Sequence, residues 1–493
     1  MSAYRALEER FKRLSDIGGT LAILNWDQQV MMPPGGHAAR TDQVATLRRI
    51  AHELLTGPET GDLLASAAAE TSKLDDWQRA NLREMRRSYL HASAVPTELV
   101  GALARATSEA ERLWREARAA ADFALLRPAL EEVIRLTREE AAAKGEALNL
   151  APYDALLDGY EPGTRAADID ALFEPLAAFL PDFTERVLAR QPEPLPVEGP
   201  FPPERQKALG ERLMVALGFD FNHGRLDESL HPFCGGVPDD VRMTARYDVA
   251  DFSSGLMAIL HETGHALYNA GLPQAWRGQP VGTPRSTAVH ESQSLLVEMQ
   301  VCRSRPFMDH LAPLLREVFG RSDTAFSPDS LYRRAIHVER GLIRVDADEL
   351  TYPLHIILRY RLEKALLADE LPVADLPQAW NQGMAELLGI TPPDDALGCL
   401  QDIHWPVGAI GYFPCYTLGA IMAAQLFQAA SAAEPDIVAG ISRGEFRPLL
   451  AWLRANIHGQ GCRFETGELL TRATGRPLEL QPFLDHLQAR YLA

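Results

Sequence analysis

The chain has 493 residues, five cysteines and a formal net charge of −18, from 67 acidic and 49 basic side chains. The acidic residues are spread along the chain, which argues against a nucleic-acid-binding surface and against attachment to an anionic membrane. The opening stretch MSAYRALEERFKRLSDIGG carries charges where a secretory signal needs an apolar core, and no later window is apolar enough to span a bilayer. We therefore expect a cytoplasmic protein whose scattered cysteines are reduced and structural.

Helix-forming residues dominate most of the chain. Residues 97–147 are rich in Ala, Leu, Glu and Arg with apolar residues three and four apart, which predicts two long amphipathic helices separated near Pro128. The Pro-rich stretch 191–206 predicts a loop between an amino-terminal half and the remainder. A few strands are expected within residues 237–252, which are rich in Val, Thr, Tyr and Phe. The pattern as a whole predicts a mainly α protein with at most a small β-sheet.

The stretch LMAILHETGHALYNAG, residues 256–271, contains the pattern HExxH. Its two histidines, His261 and His265, lie one turn apart on one face of a helix, so both can reach one metal ion, while Glu262 points about 100° away from His261. Isolated helical histidines are more often structural. Here the flanking apolar residues recur at helical spacing, Asp251 or Ser253 can cap the start, and Gly271 with Pro273 provides a stop signal. The context therefore favours a zinc site within a helix.

Zinc held by two histidines needs a third protein ligand and one open position for water. Pro284 and Ser286 predict the start of another helix that contains Glu291, and the 25 residues between His265 and Glu291 allow the chain to turn and dock antiparallel. Glu291 is our choice of ligand because a glutamate at about this distance resembles the pattern of the glutamate-type zinc peptidases. His290 and Glu298 are rivals for the role. The alternative for Glu291 is an ordinary solvated helix charge.

Six segments in order resemble the signatures of the thermostable carboxypeptidase Taq family of metallocarboxypeptidases: HPF (231–233), DVRMT (240–244), HETGH (261–265), HESQ (290–293), IRVDAD (343–348) and GCLQDIHW (398–405). The likeness extends from LNWDQQVMMPPGG (24–36) to GYFPCYTLGAIMAAQLF (411–427). The family commonly reads HESQSRLWEN where this chain reads HESQSLLVEM, so Leu295, Val297 and Met299 stand in place of Arg, Trp and Asn. This departure bears on local packing or partner contacts and not on the metal.

The resemblance implies a large two-lobed helical body with a deep active-site cleft, similar in shape to neurolysin-like peptidases. It implies one metallocarboxypeptidase catalytic domain over residues 1–493, in which residues 1–190 mostly form helices that cover the cleft and residues 207–493 carry the zinc and substrate motifs. It also implies a homodimer that acts on peptides with a free carboxyl terminus, has broad specificity and disfavours terminal proline. Co²⁺ or Mn²⁺ is expected to substitute for Zn²⁺.

The expected chemistry follows from these roles. Zinc held by His261, His265 and Glu291 polarises the scissile carbonyl, and Glu262 acts as the general base that moves a proton from water to the leaving amine. Further donors are needed for the oxyanion, and four residues in the matching segments are candidates that sequence does not rank: His231, His404, Tyr412 and Tyr416. The carboxylates expected to orient the zinc-binding histidines are Asp346, Asp348 and Asp402.

A carboxypeptidase also needs a cation for the terminal carboxylate of its substrate, and the planar fork of arginine suits this role. By resemblance, Arg344 of IRVDAD is our first choice and Arg242 of DVRMT the second. Either arginine can instead belong to a structural ion pair with neighbouring aspartates. Two other functions stay open: an endo-acting helical zinc oligopeptidase, and a non-catalytic helical binding protein of the same fold.

Overall fold

The computed structural model describes residues 2–492. Helices make up most of the part before the sheet: α1 (Ala3–Val30), α2 (His37–Thr56), α3 (Pro58–Ala69), α4 (Asp76–Ser93), α5 (Thr97–Ala120), α6 (Phe123–Leu148), α7 (Pro152–Leu157), α8 (Ala166–Leu188) and α9 (Pro203–Leu217). The Pro-rich connection is irregular up to Pro202, but α9 begins at Pro203, inside the stretch 191–206 that was expected to be a loop, since a proline is tolerated in the first turn of a helix.

The predicted break in residues 97–147 lies earlier than Pro128. Ala121 adopts a left-handed conformation with φ of 52° and ends α5, and the Asp122 side chain accepts a hydrogen bond from the backbone N–H of Ala124 at 2.9 Å to start α6. Pro128 lies inside α6, near its beginning. The pair of helices is confirmed, but the cap at Asp122 sets the boundary, because a side-chain cap satisfies the free N–H groups of a helix start.

Three short strands form one small sheet beside the later helices. They are β1 (Gly224–Glu228), β2 (Phe233–Val237) and β3 (Asp240–Ala245), in the order β1-β3-β2, with β1 parallel and β2 antiparallel to β3. Gly236 has φ of 92°, and a Cβ atom there would lie 2.1 Å from the Asp240 carbonyl oxygen, so the turn into β3 requires glycine. Of the predicted strand region 237–252, only β3 and the end of β2 are strands, and the sheet begins earlier in the chain.

The remaining helices follow the sheet: α10 (Phe252–Gly271), α11 (Thr287–Leu295), α12 (Arg305–Phe319), α13 (Pro328–Ala335), α14 (Tyr352–Leu367), α15 (Leu376–Leu388), α16 (Pro414–Ala433), α17 (Asp436–Ile441), α18 (Arg447–Asn456), α19 (Thr466–Thr474) and α20 (Gln481–Tyr491). A π-helical turn, Leu296–Cys302, continues directly from α11. The predicted mainly helical fold with a small sheet is confirmed.

One large apolar core holds most of these elements together. It contains buried residues from Ala110 to Leu487 and therefore includes side chains from both sides of the Pro-rich connection. A smaller core joins α1, α3 and α4 through residues such as Leu7, Leu64 and Met85. Across residues 2–492, none of the helices combines the length and apolar character that crossing a bilayer requires.

Candidate metal centre

The HExxH segment lies in the middle of α10, as predicted. Asp251 caps this helix, and its carboxylate accepts hydrogen bonds from the backbone N–H groups of Ser253 at 2.9 Å and Ser254 at 3.2 Å. The helix ends at Gly271. Since α10 packs against both β3 and α11, its two histidines are presented to the helix that carries the expected third ligand.

His261, His265 and Glu291 come together as the sequence predicted. One potential ligand atom from each lies within 4.8 Å of the other two. The Glu291 Oε2 atom is 3.4 Å from His265 Nε2 and 3.9 Å from His261 Nε2. Among the described residues, this is the one His, Cys, Asp and Glu cluster whose ligand atoms are so close together.

Two glycines allow this close approach of helices. A Cβ atom on Gly264 of α10 would lie 2.4 Å from the Gln293 carbonyl oxygen of α11, and a Cβ atom on Gly419 of α16 would lie 2.8 Å from the Cβ of Glu291. Both distances are shorter than atoms tolerate, so any larger residue would push the helices apart. Glu291 is thus held by close backbone packing on two sides.

The Nδ1 atoms of both histidines are engaged away from the cluster. His261 Nδ1 donates to Glu298 Oε2 at 2.9 Å, and His265 Nδ1 donates to the His290 carbonyl oxygen at 3.0 Å. Each Nε2 atom is then left as the lone-pair donor that faces Glu291. Two imidazole nitrogens and one carboxylate oxygen with fixed ring orientations suit a zinc ion, so these residues fit the metal that the sequence implies.

This arrangement separates Glu291 from its two rivals. Glu298 contacts the opposite side of the His261 ring. The His290 ring lies with Nδ1 2.6 Å from His265 Nδ1, on the side of that ring away from Glu291, and with Nε2 3.2 Å from Asn269 Oδ1. The sequence expectation for the orienting carboxylates was wrong for Asp348 and Asp402, which bond elsewhere, and none of the described hydrogen bonds joins Asp346 to either histidine. Glu298 is the carboxylate that contacts His261. The sequence signal that could have identified Glu298 was its position about two helical turns beyond Glu291, which places both carboxylates on the same helix face.

Glu262 lies on α10 beside the cluster and faces a large cleft. Its side chain is buried, and burial raises the pKa of its carboxyl, which the nearby His261 and His265 partly oppose. The cleft has a volume of about 1380 Å³, and the three clustered residues line it together with Glu262. A carboxylate with a raised pKa next to an open volume is suited to accept and return a proton.

Arg344 lines the same cleft at the start of a short 3₁₀ turn, Arg344–Asp346. Its guanidinium is nearly buried, and Nη2 and Nε donate to Asp402 Oδ1 at 2.8 and 3.1 Å. Nη1 lies 3.4 Å from the hydroxyl oxygen of Tyr352. Its main-chain N–H donates to Gln401 Oε1 at 2.9 Å, so the residue is fixed by both its backbone and its side chain.

Asp402 is shared between two arginines. Its Oδ2 atom lies 2.5 Å from a guanidinium nitrogen of Arg359, which is fully buried, while Oδ1 binds Arg344. Burial opposes ionisation of Asp402, but Arg359 and Arg344 together hold its pKa well below the usual value. The group of Arg344, Arg359 and Asp402, called here the arginine cluster, therefore carries one excess positive charge.

The four oxyanion candidates are not equally placed. Tyr412 and Tyr416 line the cleft. His404 lies behind them, with Nε2 3.3 Å from the Tyr416 hydroxyl oxygen, and burial lowers its pKa to about 4, so the ring is neutral near pH 7. The exposed His231 is not among the residues that line the cleft.

Arg242, the second choice for the carboxylate-binding cation, lies outside the cleft lining. On β3 its Nη2 and Nε atoms donate to Asp240 at 2.8 and 3.0 Å. Its guanidinium carbon lies 4.4 Å from the centre of the Trp26 ring on α1. The ion pair with Asp240 lies within β3, and the contact with the Trp26 ring joins this strand to the first helix, so both contacts are structural.

The positions at which this chain departs from the family signature are internal. Leu295 and Val297 are buried in the main core, and Met299 is half-buried and lines the cleft next to Leu295. The departure therefore changes packing around the π-helical turn and leaves the three clustered residues in place.

Comparisons with known proteins agree with the geometry. The sequence model of the carboxypeptidase Taq (M32) metallopeptidase family matches residues 6–491. Thermostable carboxypeptidase 1 of Thermus thermophilus is 41% identical over 505 aligned residues, covering 100% of this chain and 99% of the relative. Carboxypeptidase 1 of Bacillus subtilis is 35% identical, with 97% and 96% covered.

Solved structures give the same result. Metallocarboxypeptidase 1 of Trypanosoma cruzi superposes with a TM-score of 0.98 at 39% identity, covering 100% of this chain and 99% of the other. The M32 carboxypeptidase of Deinococcus radiodurans R1 gives a TM-score of 0.95 at 37% identity, covering 99% and 98%. The similarity thus extends over the whole described fold and is not limited to the helices that carry the cluster.

Proposed function

The chain belongs to the carboxypeptidase Taq family of metallopeptidases and is a metallocarboxypeptidase, and we propose that it releases single residues from the carboxyl end of peptides with a zinc ion held by His261, His265 and Glu291. The observation that carries the proposal is the convergence of these three side chains with their Nε2 and Oε2 atoms facing one another. When bound, zinc supplies Lewis-acid chemistry: it polarises the scissile carbonyl and makes water easier to deprotonate.

Glu262 is proposed as the general base. Its carboxylate accepts a proton from the attacking water and then donates that proton to the nitrogen of the leaving amine. Burial favours the protonated form of Glu262, which assists the second transfer, while the nearby histidines keep the ionised form accessible for the first. A positioned acid-base group of this kind contributes about 10²- to 10⁴-fold to the rate.

Arg344 is proposed to bind the terminal carboxylate of the substrate. Asp402 and Gln401 hold it in one orientation, so little rotamer freedom is lost when it binds. Arg359 compensates the charge of Asp402, which leaves Arg344 attractive to an anion although it already has a carboxylate partner. Arg242 is satisfied by Asp240 outside the cleft lining, which supports Arg344 over it.

Tyr412 and Tyr416 are proposed as the donors to the developing oxyanion, because both hydroxyl-bearing side chains line the cleft. His404 supports the hydroxyl of Tyr416 from behind. His231 is exposed and lies outside the cleft lining, so it contributes least to this proposal.

Three further properties are proposed from family membership alone: broad side-chain specificity with terminal proline disfavoured, a homodimeric state, and replacement of Zn²⁺ by Co²⁺ or Mn²⁺. We also propose one catalytic domain over residues 1–493, and the core that residues from Ala110 to Leu487 share supports this for the larger part of the chain. The relatives named as carboxypeptidases favour release from the chain end over the endo-acting alternative, and retention of the cluster together with Glu262 argues against a non-catalytic binding protein.

The function is tested with the zinc-loaded protein and a mixture of peptides whose carboxyl ends are free or amidated, with products identified by mass. Stepwise loss of single residues from free-acid peptides, with amidated peptides left largely intact, is the expected result. Internal cleavage of long amidated peptides would overturn the proposal in favour of an endopeptidase.

A further inference from the structure

The side of His261 that faces away from the cluster is held by Glu298 and Arg303, neither of which the sequence predicted as a group that orients this ring. We propose that Glu298 is a positioning residue that fixes the imidazole ring of His261, and that α20 holds Glu298 in place through Arg490. This inference rests on the proposed function, because it assigns to these residues an effect on metal binding by His261. The inference extends the metal centre to α20, a helix that lies far from the HExxH segment in sequence.

Both carboxylate oxygens of Glu298 are engaged. Oε2 accepts from His261 Nδ1 at 2.9 Å, and Oε1 accepts from Nη2 and Nε of Arg303 at 2.8 and 3.2 Å. Arg303 in turn donates through Nη1 to the Ala335 carbonyl oxygen at 3.0 Å. A carboxylate bound at both oxygens cannot rotate without losing a charge-assisted hydrogen bond, so it sets the plane and the tautomer of the histidine ring.

The π-helical turn brings Glu298 to this position. Glu291 and Glu298 lie about two turns apart along α11 and its continuation, so both point toward α10. Glu291 faces the Nε2 side of His261, and Glu298 binds the Nδ1 side. The ring of His261 is therefore enclosed by two carboxylates of one continuous helix, and a change in the turn Leu296–Cys302 alters the second contact while α11 stays in place.

A buried ionic group fixes the turn to α20. Arg490 donates through Nη2 to the Met299 carbonyl oxygen at 2.7 Å and through Nη1 to Glu349 Oε2 at 3.0 Å. Met299 lies in the last turn before the helix ends at Cys302, where carbonyls lack helical partners and need other donors. His486 and Tyr491, also on α20, bond to the same Glu349 at 2.8 and 3.2 Å. Three side chains of α20 thus converge on Glu349, and Arg490 among them also binds the residue that follows Glu298.

The first experiment measures the dissociation constant of Zn²⁺ by competition with a chelator for the full chain and its Glu298→Ala and Glu298→Gln variants. We expect the dissociation constant to rise about 10- to 100-fold, the range found when a partner of a metal-binding histidine is removed. The absorption spectrum of the Co²⁺-loaded protein should also change, because a reoriented ring alters the ligand field. The Gln variant keeps the size of the side chain, so a folding defect in the Ala variant does not prevent the test.

Asp158→Asn is a matched control. Asp158 is a buried carboxylate that binds a histidine ring, His91 Nε2, at the same 2.9 Å, but it lies outside the residues that line the cleft. This change should lower thermal stability and leave the Zn²⁺ dissociation constant within about twofold of wild type. Equal rises in the dissociation constant for Asp158→Asn and Glu298→Gln would show a general effect of stability and would overturn the positioning role.

The second experiment tests α20. Arg490→Met should raise the Zn²⁺ dissociation constant by less than Glu298→Ala, and the double variant should bind no more weakly than Glu298→Ala alone, since Arg490 acts through Glu298. Arg443→Met removes an exposed arginine paired with Glu445 and should have no effect. Full additivity of Arg490→Met and Glu298→Ala, or no effect of Arg490→Met, would overturn the role of α20.

Failure of the proposed function is recognised separately with His261→Ala. If wild type binds Zn²⁺ and His261→Ala abolishes the binding while Glu298→Gln leaves it unchanged, the metal centre stands and only the inference about Glu298 is wrong. If His261→Ala binds Zn²⁺ as tightly as wild type, the proposed metal centre itself is wrong, and the inference fails with it.

Discussion

Two groups of buried charge with opposite balances meet at one cleft, which the arginine cluster reaches through Arg344. Around the metal centre, Glu262, Glu291 and Glu298 are accompanied by one arginine, Arg303, which leaves an excess of two negative charges when the carboxylates are ionised. The arginine cluster has two guanidinium groups for one carboxylate and an excess of one positive charge. The first balance suits a divalent cation, and the second suits the carboxylate of a peptide terminus.

Under the proposed function, this difference in charge is what would let the cleft discriminate between the middle and the end of a peptide. Buried charge is costly unless it is compensated, so each group is completed by what binds to it. In the proposed function, a divalent ion would neutralise the candidate metal centre, and the terminal carboxylate of the substrate would neutralise the arginine cluster. The following predictions test each side of this comparison.

The largest effect is expected from emptying the metal centre. Treatment with a chelator should reduce hydrolysis to background, because the side chains alone do not replace the Lewis acid that polarises the scissile carbonyl. Addition of Zn²⁺ should restore hydrolysis. Glu291→Ala should weaken Zn²⁺ binding and should therefore also reduce hydrolysis. Hydrolysis and metal content are measured on the same samples, and full activity in a metal-free sample would contradict a metal-dependent reaction.

Glu262→Gln keeps the size of the side chain and removes the base. We expect kcat to fall about 10²- to 10⁴-fold while Zn²⁺ remains bound, since Glu262 is adjacent to a ligand but is not one. Steady-state kinetics and metal content are the measurements. Near-normal turnover by the metal-loaded variant would assign the proton transfer to another group.

Asp402→Asn tests the arginine cluster through stability and its pH dependence. Two buried arginines lose their carboxylate, so we expect a loss of about 3 to 5 kcal/mol at neutral pH. The pKa of Asp402 is lower in the folded chain than the ordinary 3.8, so its contribution to stability is present above that value and is lost as the pH falls below it. The difference in unfolding free energy between wild type and variant should therefore shrink on acidification, as followed by urea unfolding. A difference that is constant down to low pH would show that the carboxylate charge is unimportant.

Arg344→Ala tests the role of the arginine cluster in binding the peptide terminus. On free-acid peptides the fall in kcat/KM should correspond to a loss of about 2 to 5 kcal/mol of transition-state stabilisation, the range for truncating one partner of a buried hydrogen-bonded charge pair. On amidated peptides the loss should be much smaller. The contrast between the two substrates is the quantity to measure. Equal losses on both would make Arg344 a structural residue.

Arg242→Ala is the matched change outside the cleft and should have the smallest effect. Its contacts with Asp240 and Trp26 predict a loss of about 0.5 to 1 kcal/mol of stability, with the ratio of kcat/KM on free-acid and amidated peptides unchanged. Thermal unfolding and the same two substrates provide the measurement. A selective loss on free-acid peptides would move the carboxylate-binding role to Arg242.

Much of the metal centre could be predicted from the sequence because its geometry is local. His261, Glu262 and His265 occupy one helix, and helical periodicity alone places the two histidines on one face. The family motifs then narrowed the third ligand to Glu291. The same local argument located α5 and α6 but misplaced their boundary, because the sequence pattern near Pro128 was given more weight than the cap at Asp122.

The sequence by itself determined the mainly helical class, the family and which residues are candidates for metal ligands, because those depend on local periodicity and on ordered motifs. Only the tertiary structure decided which charges meet across distant segments. It paired Glu298 with His261, shared Asp402 between Arg344 and Arg359, separated Arg242 from the cleft lining and placed Arg490 beside the π-helical turn. These contacts join residues far apart in the chain, and a hydrogen bond depends on the distance and angle between two groups, which only the packing of helices fixes.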